Sequence, residues 1–226
     1  MKTHGFSLNG ADLTALPTGA LWWAEARLLC VTDLHLGKSE RQARRGNILL
    51  PPYETTETLA KLAEDVTELD PQTVICLGDS FDDLIAAETL AYEDRNRLST
   101  MMAGRRWIWI EGNHDPGPVE IGGSHMAQIE RGPLTFRHIA KGSATPGEVS
   151  GHFHPKIRLN AASRPCFIYD QTRLILPAYG VYTGGLRSSD DALLSLFDEN
   201  AIAVLTGQNC HAVPYQGERH APEAVA

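Results

Sequence analysis

The chain has 226 residues, 42% of them hydrophobic, and a formal net charge of -8. This composition is typical of a globular protein and excludes a collagen-like, coiled-coil or wholly disordered chain. The acidic balance argues against a general polyanion binder. No apolar run reaches the roughly 18 residues of a membrane span, and the N-terminus lacks the apolar core of a signal peptide. We therefore expect a cytoplasmic protein without a membrane partner, with one domain over residues 1–216 and a loose polar tail over 217–226.

The four cysteines form no C-x-x-C pair, and three of them lie in apolar, strand-like runs. We interpret them as buried, reduced thiols, which excludes a zinc ribbon and a disulfide scaffold. They are Cys30, Cys76, Cys166 and Cys210.

The first half of the chain alternates between strand and helix patterns. Short apolar runs predict strands at Leu28–Thr32, Thr73–Leu77 and Trp107–Ile110. Between them, apolar residues recur at helical spacing from Leu59 to Leu69, and a weaker helical pattern runs from Leu90 to Met102. This alternation is typical of a parallel sheet with crossover helices.

The second half contains short strand patterns separated by Gly or Pro, which favours hairpins in a second sheet. These patterns lie at Met126–Ile129, Leu134–Phe136, Ile157–Leu159, Cys166–Tyr169, Leu174–Leu176 and residues 201–206. Together the two halves predict a two-sheet α/β sandwich in one domain.

Acidic, amide and imidazole side chains follow each predicted strand of the first half. The segments are Asp33–His35, Gly78–Asp82 and Gly112–Asp115. Because ligands of open α/β sheets bind beyond the carboxyl ends of the strands, we expect these segments to meet at one place. Asp, Asn and His side chains are ligands of first-row metals.

The second half adds His138 and the segment Gly151–His154. Residues two apart on a strand point to the same side, which would bring His152 and His154 to one site. Taken alone, His-x-His is more often an exposed strand face, and G-D or G-N-H is a common turn. Their co-occurrence at strand ends favours a metal site, and the number of candidate ligands indicates two ions a few ångströms apart.

The blocks D-x-H, G-D-x-x-D, G-N-H-D, a lone His and G-H-x-H, in this order from Asp33 to His154, resemble the calcineurin-like metallophosphoesterases. This resemblance implies an αββα sandwich with mixed sheets and two bound divalent ions. The first ion would be held by Asp33, His35, Asp79 and His154. The second would be held by Asp79, Asn113, His138 and His152, so that Asp79 bridges both ions.

The resemblance also implies catalytic roles for two residues. His114 would assist the leaving group, and Asp82 would orient His114 through a hydrogen bond. The alternative for Asp82 is a helix N-cap, and Asp115 is expected to be structural. The two ions would lower the pKa of a bridging water, so that hydroxide attacks phosphorus in line with the leaving oxygen.

The flanking segments Asp33–Lys38, Phe136–His138, Gly151–Pro155 and Leu176–Gly180 are similar to those of a narrower bacterial group, the ligase-associated DNA damage response endonucleases of the PdeM type. The similarity implies a Mn²⁺-dependent phosphodiesterase or single-strand DNA endonuclease acting in DNA repair. A DNA ligase, a helicase and an exonuclease would be its functional partners.

Basic and aromatic residues near the predicted site are candidates for substrate contacts. Four cations close to the first ligand loop are candidates for binding DNA phosphates, with an exposed helix face as the alternative. Tyr179 and Tyr182 are candidates for stacking on bases, with packing in the core as the alternative. The four cations are Lys38, Arg41, Arg44 and Arg45.

Two other functions remain open at this stage. The same metal centre would serve a phosphomonoesterase or a nucleotide pyrophosphatase. A non-catalytic interaction module is the third possibility, but such scaffolds tend to lose the catalytic histidine, and His114 is present here.

Overall fold

Fifteen strands and five helices occupy the described part of the chain. The computed structural model describes residues 2–46, 50–143, 145–159 and 162–215, so the predicted tail over 217–226 lies outside it. The strands are β1 (His4–Leu8), β2 (Ala11–Ala15), β3 (Leu21–Trp23), β4 (Leu28–Val31), β5 (Thr73–Leu77), β6 (Arg106–Ile110), β7 (Ser124–Met126), β8 (Gln128–Arg131), β9 (Leu134–Arg137), β10 (Glu148–Ser150), β11 (Lys156–Leu159), β12 (Ala162–Tyr169), β13 (Arg173–Ile175), β14 (Ile202–Leu205) and β15 (His211–Pro214). The helices are α1 (Lys38–Arg44), α2 (Glu54–Leu69), α3 (Leu84–Glu88), α4 (Tyr92–Met102) and α5 (Asp191–Leu194).

The first sheet has seven strands in the order β1-β2-β3-β4-β5-β6-β7. The strands from β1 to β4 pair antiparallel, whereas β4, β5, β6 and β7 are parallel. The parallel register places Val74 between Leu29 and Trp107. Because parallel strands share one direction, the carboxyl ends of β4, β5 and β6 lie at one edge of the sheet, which we call the ligand edge.

The second sheet has the order β15-β14-β12-β13-β10-β9-β8, and β11 pairs with β12 off this path. Its centre differs from the hairpins that the sequence favoured, because β10 is parallel to both β9 and β13. The hairpin expectation was wrong for these pairs. The chain inserts the β11–β12 hairpin between β10 and β13, and so returns to the same end of the sheet.

The two sheets pack face to face, and helices cover the outer face of each. Between the sheets, Ile75 of β5 and Phe136 of β9 belong to one buried cluster. On the outer face of the first sheet, Val74 packs in a cluster with Leu62 of α2, and Leu193 of α5 packs against the second sheet. Successive residues of β5 therefore face different layers. The predicted αββα sandwich with mixed sheets is confirmed.

All four cysteines are buried and none forms a disulfide, so the prediction of buried, reduced thiols is confirmed. Across the described ranges, no helix has both the length and the apolar character that crossing a membrane requires.

The sequence patterns missed β1, β2, β10 and β15 and merged two other strands into one. The predicted strand Met126–Ile129 is in fact two strands, because β7 ends at Met126 in the first sheet and β8 begins at Gln128 in the second. The chain thus crosses between the sheets at Ala127. A continuous apolar pattern does not reveal such a crossing, because the buried residues face the same core on both sides of it.

Candidate metal centre

Loops from both sheets meet at the ligand edge. Asp33 follows β4, Asp79 follows β5 and Asn113 follows β6, as the parallel register requires. In the second sheet, His138 follows β9 and the loop containing His152 follows β10. The backbone N–H of His152 donates a hydrogen bond to Asp33 Oδ2 at 2.9 Å, which ties the two sheets together at this edge.

Five of the seven predicted metal ligands have a left-handed backbone, a conformation that only nine non-glycine residues of the described chain adopt. Such strain tends to gather at functional sites. The expectation that strand alternation brings His152 and His154 to one side was wrong, because both residues lie in the loop between β10 and β11. The five residues are Asp33 (φ 52°), His35 (φ 47°), Asp79 (φ 45°), His152 (φ 70°) and His154 (φ 46°).

Two motif glycines let backbone approach the carboxylates closely. A Cβ atom at Gly112 would overlap the backbone nitrogen and Oδ1 of Asp79. A Cβ atom at Gly151 would overlap the hydroxyl of Thr32 and lie 2.7 Å from Asp33 Oδ2. Only glycine fits these two positions, so the glycines of G-N-H and G-H-x-H are steric requirements of the site.

The first cluster consists of Asp33, His35 and His154, whose candidate ligand atoms all lie within 4.8 Å of one another. Asp33 Oδ2 accepts hydrogen bonds from the Thr32 hydroxyl and from a backbone N–H, whereas Oδ1 lies 3.1 Å from His154 Nε2 without hydrogen-bond geometry. The buried Nε2 of His35 also has no hydrogen-bond partner. Burial raises the pKa of Asp33, but His154, His138 and the Thr32 hydroxyl together outweigh burial and lower it.

The second cluster consists of Asp79, Asn113, His138 and His152. His138 Nδ1 donates to the carbonyl of Leu77 at 3.1 Å, which leaves Nε2 free to face the other members. This Nε2 atom lies 3.0 Å from Asn113 Oδ1 and 3.3 Å from Asp79 Oδ2. It also lies 3.3 Å from His152 Nδ1, so lone pairs of four side chains converge.

Both clusters fit divalent first-row cations, because their donors are oxygen and imidazole nitrogen. Burial raises the pKa of Asp79, but His138 and the N–H of His114 hold it well below its usual range. Burial lowers the pKa of His138, but Asp79 and Asp33 outweigh burial and raise it. The same carboxylates would attract a metal ion. The division of ligands between two ions, with Asp79 as the bridge, stays a prediction.

The Asp82 side chain does not make the hydrogen bond that was expected for it. Its carboxylate accepts from His35 Nδ1 and from the Arg41 guanidinium, each at 2.8 Å, whereas His114 Nδ1 donates to the Asp82 backbone carbonyl at 2.9 Å. The N-cap alternative was also wrong, because Asp83 caps α3. Burial raises the pKa of Asp82, but His35 and Arg41 lower it to about 2. Asp82 therefore orients a predicted metal ligand.

His114 is half-buried beside the first cluster. Its backbone N–H donates to Asp79 Oδ1 at 2.8 Å, and its ring lies edge-on to His35 with the ring centroids 5.1 Å apart. Together with His35 and Asp82 it forms a third group that could hold an ion. In that group, however, the His35 and Asp82 side chains are already hydrogen-bonded to each other. Because Nδ1 of His114 is held by a carbonyl, its Nε2 is left to meet a substrate.

The Asp115 side chain connects the loops of the site through hydrogen bonds to their backbone N–H groups. Its carboxylate accepts from the backbone N–H groups of Gly112, Ser80 and Phe81, at 2.8 to 3.1 Å. Burial and the charge of Asp79 raise its pKa to about 6, against the opposing effect of these three hydrogen bonds. Its contacts are of the structural kind that the sequence suggested.

The basic stretch forms α1, and its two central arginines are paired. Arg41 contacts Asp82, and Arg44 donates two hydrogen bonds to Asp83, each at 2.9 Å. These carboxylates neutralise half of the four positive charges, so the stretch is a weaker candidate for binding DNA than its charge count implied. The remaining cations of the stretch are Lys38 and Arg45.

The two candidate tyrosines differ in exposure. Tyr179 is fully buried, and its hydroxyl donates to Asp65 at 2.8 Å. The Nζ of Lys61 lies 3.8 Å from the centre of the Tyr179 ring. Stacking of a base on Tyr179 was therefore a wrong expectation, since the ring already belongs to the core. Tyr182 is 48% exposed and stays a candidate.

Sequence reasoning missed two supporting contacts. Thr32 directly precedes the candidate ligand Asp33, and its hydroxyl donates to Asp33 Oδ2 at 2.7 Å. A hydroxyl residue next to a candidate ligand was the sequence signal that could have indicated this contact. The pairing of Arg41 with Asp82 had no local signal, because the two residues are 41 positions apart.

Comparison with known proteins agrees with this geometry. The sequence profile described as calcineurin-like phosphoesterase matches residues 26–202, a range that contains every member of both clusters. The chain also resembles the crystal structure of the Pseudomonas putida nuclease MPE, with a TM-score of 0.74 and 25% sequence identity. That likeness covers 94% of this chain and 100% of the Pseudomonas chain. No curated protein matches the chain in sequence.

Proposed function

The chain belongs to the calcineurin-like phosphoesterases, and from this premise we propose that it is a Mn²⁺-dependent phosphodiesterase that cuts single-stranded DNA. As a member of that family it is a metal-dependent phosphoesterase. The diester substrate, the DNA strand and the metal are the proposal. One observation carries it: two clusters of oxygen and imidazole donors meet at one edge of a fold that a known nuclease shares.

The residues of the two clusters would hold two divalent ions. Asp33, His35 and His154 would hold one, Asn113, His138 and His152 the other, and Asp79 would contact both. Bound there, the ions supply Lewis acidity, a water of lowered pKa and positive charge that offsets the charge of the phosphate.

The chain's own groups would orient the substrate and move a proton. His114 keeps its Nδ1 proton on the Asp82 carbonyl, so Nε2 is the atom that faces the leaving oxygen. Donation from Nε2 requires the doubly protonated imidazolium. His114 would therefore act as the general acid for the departing alkoxide.

The donor set supports Mn²⁺ over Mg²⁺. Four of the seven predicted ligands are imidazoles, and no cysteine belongs to either cluster. Mg²⁺ prefers oxygen donors, whereas Mn²⁺ accepts both oxygen and imidazole. Mg²⁺ should therefore be a weak substitute.

A nucleic-acid substrate is supported by the Pseudomonas putida nuclease, which shares the fold over almost the whole chain. The segments that flank the ligand loops, such as Asp33–Lys38 and Gly151–Pro155, support the narrower proposal of single-stranded DNA and of a cytoplasmic role in DNA repair. A DNA ligase, a helicase and an exonuclease would act in the same process.

The proposal is tested with purified protein reconstituted with Mn²⁺ or with Mg²⁺. Its substrates are a single-stranded oligonucleotide, the same sequence as a duplex, a nitrophenyl phosphodiester and a nitrophenyl phosphomonoester. We expect single strands and the diester to be hydrolysed, with Mn²⁺ at least about tenfold better than Mg²⁺. Asp79→Asn serves as the inactive control.

Three results would contradict the proposal. Faster hydrolysis of the monoester would favour a phosphomonoesterase or a nucleotide pyrophosphatase on the same centre. Strong activity with Mg²⁺ alone would overturn the metal assignment. No hydrolysis of any ester by metal-loaded protein would favour an interaction module.

A further inference from the structure

A basic pocket of about 540 Å³ opens beside the metal centre, and nothing in the proposed chemistry uses it. Its lining includes Lys61, Lys156 and Arg164 and contains no acidic residue. We propose that this pocket binds one backbone phosphate of the polynucleotide, next to the phosphate that is cut. The inference rests on the proposed function, since it names the path that a DNA strand takes away from the metal centre.

The pocket lies at the ligand edge of the sandwich. Gly180 lines it and donates its N–H to the carbonyl of Asp33 at 3.1 Å, so the pocket wall touches the first ligand loop. Lys156 follows the metal-ligand candidate His154 by two residues. A strand whose scissile phosphate lies at the metal centre would therefore pass the mouth of the pocket.

The cations of the pocket are oriented by carbonyl groups and not by carboxylates. Lys156 Nζ donates to the carbonyl of Thr183 at 2.8 Å, and Arg164 donates to the carbonyl of Thr206. Within the described part of the chain, neither cation forms an ion pair. A carbonyl fixes the side chain but leaves its full positive charge, whereas the arginines of α1 are neutralised by Asp82 and Asp83.

Lys61 adds a third positive charge at the base of the pocket. Its Nζ donates to the carbonyls of Tyr179 at 2.5 Å and Thr18 at 3.3 Å. Burial lowers the pKa of Lys61 to about 8, although the charge of Asp65 opposes this effect. Asp65 lies behind the wall, where it accepts hydrogen bonds from the Thr18 and Tyr179 hydroxyls. An anion in the pocket would stabilise the charged form of Lys61.

One further feature suits a nucleotide chain better than a free anion. Tyr182 lines the pocket and is 48% exposed, which leaves its ring face open to a neighbouring base. Phosphate contacts position a strand without reading its sequence, so this pocket predicts no base specificity.

The test compares the double variant Lys156→Gln/Arg164→Gln with the matched control Arg106→Gln/Arg131→Gln. Both remove two positive charges, but Arg106 and Arg131 are exposed at the opposite edge of the sandwich. Stopped-flow fluorescence anisotropy of metal-loaded protein with a labelled oligothymidylate gives the DNA Kd before turnover. Steady-state kinetics give the ratio of oligothymidylate turnover to nitrophenyl diester turnover.

We expect the Kd of the pocket variant to rise about tenfold, the effect of losing charged hydrogen bonds, and the turnover ratio to fall by the same factor. The slope of log affinity against log salt should shrink by about 0.7, the value for one single-strand phosphate contact. The control variant should stay within about twofold of the unmodified protein.

An unchanged Kd would overturn the proposal, and so would equal losses on DNA and on the small diester, which would mean that the pocket supports the metal loop. If the pocket variant loses inhibition by inorganic phosphate or thymidine monophosphate but keeps its DNA Kd, the pocket binds a free phosphate and not a polynucleotide. Because binding is read before turnover, a protein that binds DNA here but cuts none would contradict the proposed function and support the pocket.

Discussion

The two clusters of the metal centre differ in how their ligands are supported. In the first cluster, His35 is 4% exposed and its Nδ1 is held by the Asp82 carboxylate, which Arg41 holds in turn. In the second cluster, His138 is also 4% exposed, but its Nδ1 is hydrogen-bonded to a backbone carbonyl and lies 3.9 Å from Asp33 Oδ1, and Asn113 is exposed. The two clusters are thus similarly buried, but the first has a hydrogen-bonded carboxylate behind one imidazole, and the second has one exposed candidate ligand.

This difference predicts different affinities for the two ions. A carboxylate behind a ligating imidazole fixes its orientation and raises its basicity, and removing such a partner typically costs about 10- to 100-fold in metal affinity. A neutral carbonyl gives less support, and Asn113 contributes no charge. We expect the first cluster to bind its ion more tightly and the second to exchange its ion more readily.

The largest effect should come from the side chain predicted to serve both clusters. Asp79→Asn keeps the size of the residue but removes its charge, so the metal content should fall in both clusters. Hydrolysis of a small diester should fall by about 10⁴-fold, which corresponds to several kcal/mol of lost charge stabilisation. Elemental analysis and steady-state kinetics measure both effects, with exposed Asp12→Asn as the control. Near-normal turnover with one cluster still filled would refute a shared role for Asp79.

His114→Ala should leave both clusters filled, because His114 belongs to neither set of predicted ligands. General-acid assistance is typically worth about 10²- to 10⁴-fold, and DNA, with its basic alkoxide leaving group, should lose most of this. A nitrophenyl diester should lose much less, because nitrophenolate leaves without a proton. The measurement is kcat on both substrates with metal content as the control. Equal losses on both would assign His114 to phosphate binding instead.

Asp82→Asn separates the two clusters directly. It removes the carboxylate behind His35, so affinity for the tighter ion should fall by about 10- to 100-fold while affinity for the weaker ion stays unchanged. The matched control is Asp83→Asn, which changes the next residue and retains a good N-cap for α3. Calorimetric titration with Mn²⁺ measures both affinities. Loss at the weaker site alone would reverse the assignment of the clusters.

The smallest effects should distinguish the two paired arginines of α1. Arg41→Gln should weaken the tighter ion by about twofold to fivefold, because the Arg41 contact supports Asp82. Arg44→Gln should change neither metal affinity, since Arg44 contacts Asp83 and not Asp82. Its effect on DNA cleavage should stay within about twofold. A tenfold loss of DNA cleavage in Arg44→Gln would show that the pairing with Asp83 does not neutralise this arginine.

The positions of the ligand loops were predictable because parallel strands have a simple rule. Apolar runs marked β4, β5 and β6, and the carboxyl ends of parallel strands must share an edge. The same rule placed Asp33, Asp79 and Asn113 together in the structure. His138 and His152 follow this rule in the second sheet too, although the sequence favoured hairpins there.

The supports of the site were not predictable, because they depend on contacts between distant parts of the chain. Nothing local links Asp82 to His35, which precedes it by 47 positions, and the family pattern pointed to His114 instead. The charge of Arg41 gave no sign that Asp82 neutralises it. Lys156 and Arg164 gave no joint signal, because eight positions separate them along the chain and only the fold brings them to one pocket.

The most direct test is to titrate the metal-free protein with Mn²⁺ in a calorimeter and to check its metal content by elemental analysis. We expect two ions per chain in two affinity classes. Asp82→Asn should weaken the tighter class, and His152→Ala should weaken the other. One ion per chain at saturation, with full diesterase activity, would contradict the two-cluster centre from which the proposed function is argued.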